Sequence, residues 1–322
     1  MTEIFRGLKA FTPLTDYTHS NVINLPEQEF FQQLDSIEQR IKASTDRWIL
    51  FSHCQDQVLG FDSDLESVDQ LNRIADEYKD RVLVVVISVN KLELNNLIHY
   101  YFFPEYHAVY WPLYKSMTPT YRLNDVTHKY LCLNKRGDPW RQLLYKKFWK
   151  QDLLKHSHFS YLCEDDNFGT LFREPTWTTD LNLSLSTFCT VVIETDITNK
   201  MVNISEKTVR ALALGQPMLL LGVSGTHQYL KDLGFDLLDD ILDNSFDQEP
   251  EDYARFCRFS DSIDKINTHS TGALQHTKCS IKDRLRANRT RVEELHREMN
   301  QRSLKIVKEV TDKFNSHLSI AQ

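Results

Sequence analysis

The chain is short of the residues that break or cross-link polypeptides. Nine glycines and nine prolines in 322 residues are too few for a low-complexity or linker-rich protein. The six cysteines (Cys54, Cys132, Cys163, Cys189, Cys257 and Cys279) lie far apart, and none forms a C-x-x-C pair. That spacing argues against a zinc module or a disulfide framework. Three of the six sit in apolar, strand-like runs (LFSHC, YLCLN, SYLC), the usual setting of a reduced buried thiol. No apolar run reaches the length of a membrane span, and MTEIFRGLKAF lacks the apolar core of a leader peptide. Positive charge is not in excess: the formal net charge is -7, which speaks against a general nucleic-acid coat but leaves room for a local basic groove. The expectation is a reduced, cytoplasmic, ordered protein in which Asn182-Leu-Ser, Asn203-Ile-Ser and Asn288-Arg-Thr match the glycosylation sequon by coincidence.

What is present is alternation. Hydrophobic residues make up 41% and charged residues 26% of a chain long enough for two domains. RWILFSH (47–53) reads as a strand, and DLESVDQLNRIADEYKD (64–80) places Leu65, Val68, Leu71, Ile74 and Ala75 at helical spacing. RVLVVVIS (81–88) reads as a strand buried on both faces, and LELNNLIHYYFF (92–103) as a helix. Residues 104–127 carry three prolines and no period, which suits a domain junction. A second series then begins: strands at 128–134, 159–163, 190–195 and 217–222, with helices at 139–156, 205–214 and 225–235. From about 281 a long polar helix follows, with Leu285, Val292, Leu295 and Met299 as a narrow apolar stripe suited to lying along a surface. The pattern predicts an α/β protein with two doubly wound, Rossmann-like parallel sheets: residues 1–122, residues 123–280, and a helix over 281–322 packing back toward the first domain.

The chemistry concentrates in NISEKTVRALALGQPMLLLG (203–222). Ser205 is placed to cap a helix whose first turn holds Glu206, Lys207 and Thr208, and Gly215 to end it. Glu206 complements the positive end of the helix dipole, whereas Lys207 and Arg210 oppose it, at a cost of tenths of a kcal/mol each. A bound anion would resolve that tension, because helix N-termini present free N–H groups to phosphates. The plainer alternative pairs Arg210 with a carboxylate and leaves Lys207 in solvent.

The segment Ser-Glu-Lys-Thr, then Arg-Ala-Leu-Ala, a glycine, a proline and an apolar strand resembles the donor-binding segment of GT-B glycosyltransferases. It is especially similar to the α1,3-fucosyltransferase-like groups. The strand VVIET before it, with Glu194 at its C-terminal end, resembles the same family block, while GTHQYLKDLGFDLLDDILDNSFD after it and YLCLNKRGDPWRQLLYKKF further upstream are similar to phage and viral enzymes of this architecture, so the resemblance covers roughly residues 128–250. It implies two Rossmann-like domains and a metal-independent transfer from a nucleotide-diphosphate sugar, such as a UDP- or GDP-sugar, to a hydroxyl. The acceptor would be a glycan or a hydroxymethylated base in phage DNA. Glu206 would bind the ribose hydroxyls and Lys207 the diphosphate, Arg210 would buttress that site or share the phosphate, and Ser205 and Thr208 would belong to the same donor-binding turn. Asn134, Arg136 and Arg141 would supply a further phosphate contact, and Glu194 would stand near the donor sugar. The Phe-Glu-Asn block usual around Glu194 is absent, so the resemblance names neither sugar nor nucleotide.

An inverting enzyme also needs a base, which the first domain would provide. His53 closes a strand, and Asp56, Asp16, His19 and Glu105 open loops; His53 has the ordinary pKa best suited to the task. Asp62-Ser63-Asp64 imitates a metal-binding D-x-D but stands where helix caps stand. His156, His158 and Glu164-Asp165-Asp166 fit no familiar ligand spacing. The basic run of Lys282, Arg284, Arg286, Arg289, Arg291 and Arg297 reads either as a solvated face or as a contact for an anionic acceptor. A non-catalytic nucleotide- or anion-binding module is the competing class.

Overall fold

The structure is a computed structural model that describes residues 22–26, 34–45, 48–53, 65–79, 82–88, 97–101, 114–115, 125–134, 137–161, 181–194, 197–198, 202 and 204–319. It divides into two compact units, residues 1–106 with 298–322, and residues 107–297.

The first unit holds a four-stranded parallel sheet in the order β1 (Val22–Pro26), β2 (Trp48–His53), β3 (Val82–Ser88), β4 (Leu97–Tyr101). Among the described residues two helices stand between these strands, α1 (Leu34–Lys42) and α2 (Leu65–Glu77). Leu34, Ile37 and Ile41 of α1 and Ile74 and Ala75 of α2 are buried, as their helical spacing requires. Glu38 links the two helices, accepting from Arg73 at 3.1 Å and Lys42 at 2.8 Å. Two expectations fail here. Residues 97–101 form a strand and not part of a helix, pairing with β3 from Val84↔Leu97 to Ser88↔Tyr101. Their β-branched and aromatic side chains suit a strand beside β3, and Asn95-Asn96 before them are poor helix formers. The four described strands also run in chain order, so the reversal that defines a doubly wound sheet is missing among them.

The second unit is built differently. Its parallel sheet has the order β6-β5-β7-β8, with β5 at His128–Asn134, β6 at Ser157–Tyr161, β7 at Thr187–Ile193 and β8 at Met218–Leu221. The chain moves outward from β5 to β6, returns to place β7 on the other side of β5, and continues to β8. Helices cover both faces. On one, Tyr130, Cys132, Cys189, Val191, Ile193, Leu219 and Leu221 pack against Leu144 and Phe148 of α3 (Pro139–Lys150) and Phe256, Phe259 and Ile263 of α7 (Asp252–Asn267). On the other, Leu131, Leu133, Thr190 and Val192 meet Arg210, Ala211 and Leu214, from α5 (Glu206–Ala213) and its end, and Ser184 of α4 (Leu181–Leu185). Strands buried on both faces account for the solid apolar runs in the sequence.

Helix ends follow local chemistry. Asp138 caps α3, accepting the Arg141 N–H at 2.9 Å, with Pro139 in the first turn. The helix stops at Lys150, short of the 156 expected. Asp152 takes φ 57° and the Leu153 N–H returns to Phe148 O at 2.8 Å, so Leu153 reaches the core from outside the helix. Gly215 ends α5 the same way at φ 60°, with Gln216 N–H on Ala211 O. The chain then runs through α6 (Thr226–Asp232), α7 and α8 (Thr271–Ser280) to the long α9 (Lys282–Ser319). Leu285, Val292 and Leu295 of α9 are buried, and Arg284 grips Asp236 and Asp240 through four contacts of 2.5–2.9 Å.

Candidate functional site at the carboxyl edge of the second sheet

In open parallel sheets a crevice forms outside the carboxyl ends of the strands where the strand order reverses. Here that point lies between β5, which ends at Asn134, and β7, which ends at Ile193. Most of the described donor-site candidates gather around it.

Glu194 leaves the end of β7 only 1% exposed. Its Oε1 accepts the Ser205 N–H at 2.9 Å and the Thr208 hydroxyl. Its Oε2 has no partner among the described residues. Burial raises its pKa above the ordinary carboxylate value, against the opposing pull of Lys207 and the hydrogen bonds from Ser205 and Thr208. A carboxyl group of the chain itself thus already stands at the start of α5. The Ser205 hydroxyl caps the same turn, accepting the Lys207 N–H at 3.4 Å.

The two cations that oppose the dipole are both largely removed from water. Lys207 Nζ lies 2.8 Å from Glu206 Oε1, the side chains only 15% and 22% exposed. Arg210 is 5% exposed and donates to Ser184 Oγ at 3.3 Å. Burial lowers its pKa, with Tyr114 acting in the other direction. Lys207, Arg210, Ser184, Thr190 and Gln216 are the polar members of a cavity of about 20 Å³ between α5 and the sheet, room for a single water. Lys207 is thus not in solvent, as the plainer alternative would have it.

Two further candidates are engaged with the scaffold. Arg141 is 2% exposed; its Nη2 donates to Ile193 O at 2.8 Å and its Nε lies 3.0 Å from Asp138 Oδ2. Asn134 is buried and donates to Cys132 Sγ at 3.1 Å. Arg136 lies outside the described residues, as do Asp56, Asp16, His19, Glu105, Asp62, Ser63, Asp64 and the acidic run 164–166. His53 ends β2, its backbone in register with Ile87 of β3; its side chain is outside the described set.

His158 stacks on His128, ring centroids 4.0 Å apart, and burial lowers the pKa of both. Among the described residues no three metal-ligating side chains stand together, and no described helix is long and apolar enough to cross a membrane. The basic run of α9 is partly tied up within the unit. Besides Arg284, Arg286 pairs with Asp283 at 3.0 Å, and Arg291 donates to Leu233 O at 2.6 Å.

No family model, curated protein or solved structure matches the chain. The site therefore rests on its own residues, including some that sequence reasoning passed over. Gly222, which already closes the segment 203–222 singled out in the sequence, follows β8 so closely under Thr226 that a Cβ there would lie 2.5 Å from Thr226 Oγ1. Arg255 is 1% exposed in the first turn of α7, and Lys278 is wholly buried in α8. The signal for Arg255 is present in DYARFCRFSDSI, where it shares helical spacing with Phe259 and Ile263 on the core face.

Proposed function

We propose that the chain is a glycosyltransferase of the GT-B type, with its two units acting as Rossmann-like domains and a nucleotide-diphosphate sugar bound at the carboxyl edge of the second sheet. The observation that carries this reading is the reversal of strand order between β5 and β7, with the Ser205–Thr208 turn of α5 tied to that edge through Glu194. On this reading the Glu206–Lys207 pair opens to the donor, Glu206 accepting from the ribose hydroxyls and Lys207 meeting the diphosphate. Lys207 then stabilises the charge that develops on the diphosphate as the bond from the sugar's anomeric carbon breaks. The acceptor oxygen bonds to that carbon and gives its proton to a first-unit base, His53 or Asp56. No metal takes part. The acceptor is a hydroxyl on a glycan or on a hydroxymethylated base of phage DNA, and the setting is the cytoplasm.

A second reading has its own support. Glu194 and Arg141, which the first reading places near sugar and phosphate, are both committed to backbone groups. That favours a module that binds a nucleotide or anion without turnover. A panel of nucleotide sugars separates the two. Transfer or slow donor hydrolysis that disappears in Glu206→Ala and Lys207→Ala supports the enzyme. Tight nucleotide binding without turnover supports the module, and the absence of a melting-temperature shift with every nucleoside diphosphate rejects both.

A further inference from the structure

The second sheet has a buried cation at each edge, and both do the same backbone chemistry. At the amino edge, Lys278 Nζ donates to Leu185 O at 3.2 Å, to Thr187 O where β7 begins, and to Gln216 Oε1 at 3.0 Å just before β8. At the carboxyl edge, Arg255 uses all five of its N–H donors. Nε donates to Gly222 O at 3.0 Å. Nη1 donates to Glu249 O at 2.7 Å and Pro250 O at 3.3 Å, and Nη2 to Ile197 O and Asp252 Oδ1, both at 2.6 Å. Ile197 lies three residues beyond Glu194, and Gly222 follows the last residue of β8. One side chain therefore joins the segment after β7, the segment after β8 and the approach to α7.

We infer that Arg255 is a positioning residue for the ligand site at this edge, holding the segments that leave β7 and β8 at a fixed spacing. The planar fork is what permits this. Five donors in one rigid plane reach three separate segments, whereas an ammonium group offers three donors from one point and cannot span them. Arg255 itself is enclosed and touches no ligand; its effect passes through Ile197 to Glu194 and the α5 turn, and through Gly222 to the start of α6. Lys278, with comparable bonds at the opposite edge, contributes stability alone.

The inference rests on the donor reading, and the test separates the two. Dissociation constants for GDP and UDP are measured on the full chain by titration calorimetry, well below the melting temperature of each variant. Arg255→Lys and Lys278→Met are both expected to melt lower than the wild type. Arg255→Lys is expected to weaken nucleotide binding by about tenfold or more, through loss of preorganisation, while Lys278→Met stays within about twofold. Asp252→Asn, which disturbs only one of the five acceptors, gives a smaller shift in the same direction and serves should Arg255→Lys fail to fold. Wild-type affinity in Arg255→Lys, or in Asp252→Asn where that variant stands in, overturns the positioning role and leaves the donor reading intact. Equal weakening in Lys278→Met overturns the contrast between edges. A wild-type chain that binds neither nucleotide removes the donor reading and this role with it.

Discussion

Glu194 presents the sharpest question at the scale of one residue, because a buried carboxyl group with one oxygen unpartnered among the described residues has a proton equilibrium that folding alters. Burial raises its pKa above the ordinary 4.5, so over that window the folded state holds more protons than the unfolded one. Its contribution to stability is fully present below about 4.5 and is lost as the pH rises through the folded value. Glu194→Gln keeps the acceptor for the Ser205 N–H and removes the titration. The expected outcome is a variant that gains on the wild type as the pH is raised from 4.5 to 7, measured as the difference between their urea-unfolding free energies. A difference that does not change with pH would mean that Glu194 stays ionised when buried. Gly222 makes a steric prediction at the same scale. Gly222→Ala forces a methyl against Thr226 and is expected to cost about 1–3 kcal/mol, part of it recovered in the double variant with Thr226→Ala. The sequence shows the capping turn from Ser205 and the glycine stop at Gly215, because caps are local chemistry. It does not show that the Glu194 carboxyl group would meet that turn, since the contact spans eleven residues and two elements.

Elements were legible where one face repeats and obscure where pairing decides. The strands of the second sheet, α5 and α6 follow from apolar runs bounded by turn residues. β4 misleads because Leu97–Tyr101 has enough apolar residues for either reading, and only its place beside β3 makes it a strand. The order β6-β5-β7-β8 leaves no local mark, yet it creates the crevice. α7 and α8 went unread although their core-facing residues repeat, and they carry the buried Arg255 and Lys278. Lys278 is the element-scale test, because it fastens α8 to the amino edge of the sheet. Lys278→Met leaves two carbonyls and an amide oxygen without their donor and is expected to cost about 2–4 kcal/mol. Burial depresses the Lys278 pKa to about 7, so from pH 7 up to its ordinary 10.5 the unfolded chain holds the extra proton. Wild-type stability should therefore rise relative to the Met variant across that window, which paired thermal melts in matched buffers will show.

At the scale of the whole chain, α9 belongs to both units: residues up to Arg297 lie in the second and the rest in the first. Its opening half closes the second core. Leu285, Val292 and Leu295 are buried there, Arg284 binds Asp236 and Asp240, and Asn288 exchanges hydrogen bonds with the Asp236 backbone. The sequence boundary at 280 would cut through this packing, because a thin apolar stripe on a polar helix gives no sign of which core it serves. A fragment of residues 107–297 is expected to unfold cooperatively, whereas one ending at 280 exposes the Leu285 contact surface and leaves Asp236 without its cation, which should prevent cooperative folding. Circular dichroism melts of the two fragments decide this. The longer fragment also separates the two functional readings. If the second unit holds the donor, it binds nucleoside diphosphate within about threefold of the full chain, since preformed contacts alone set that affinity. If the first unit supplies the base, the fragment neither transfers nor hydrolyses the sugar while the full chain does. A fragment that binds and turns over equally well would place the whole reaction on the carboxyl edge of one sheet and leave His53 and Asp56 without a part in it.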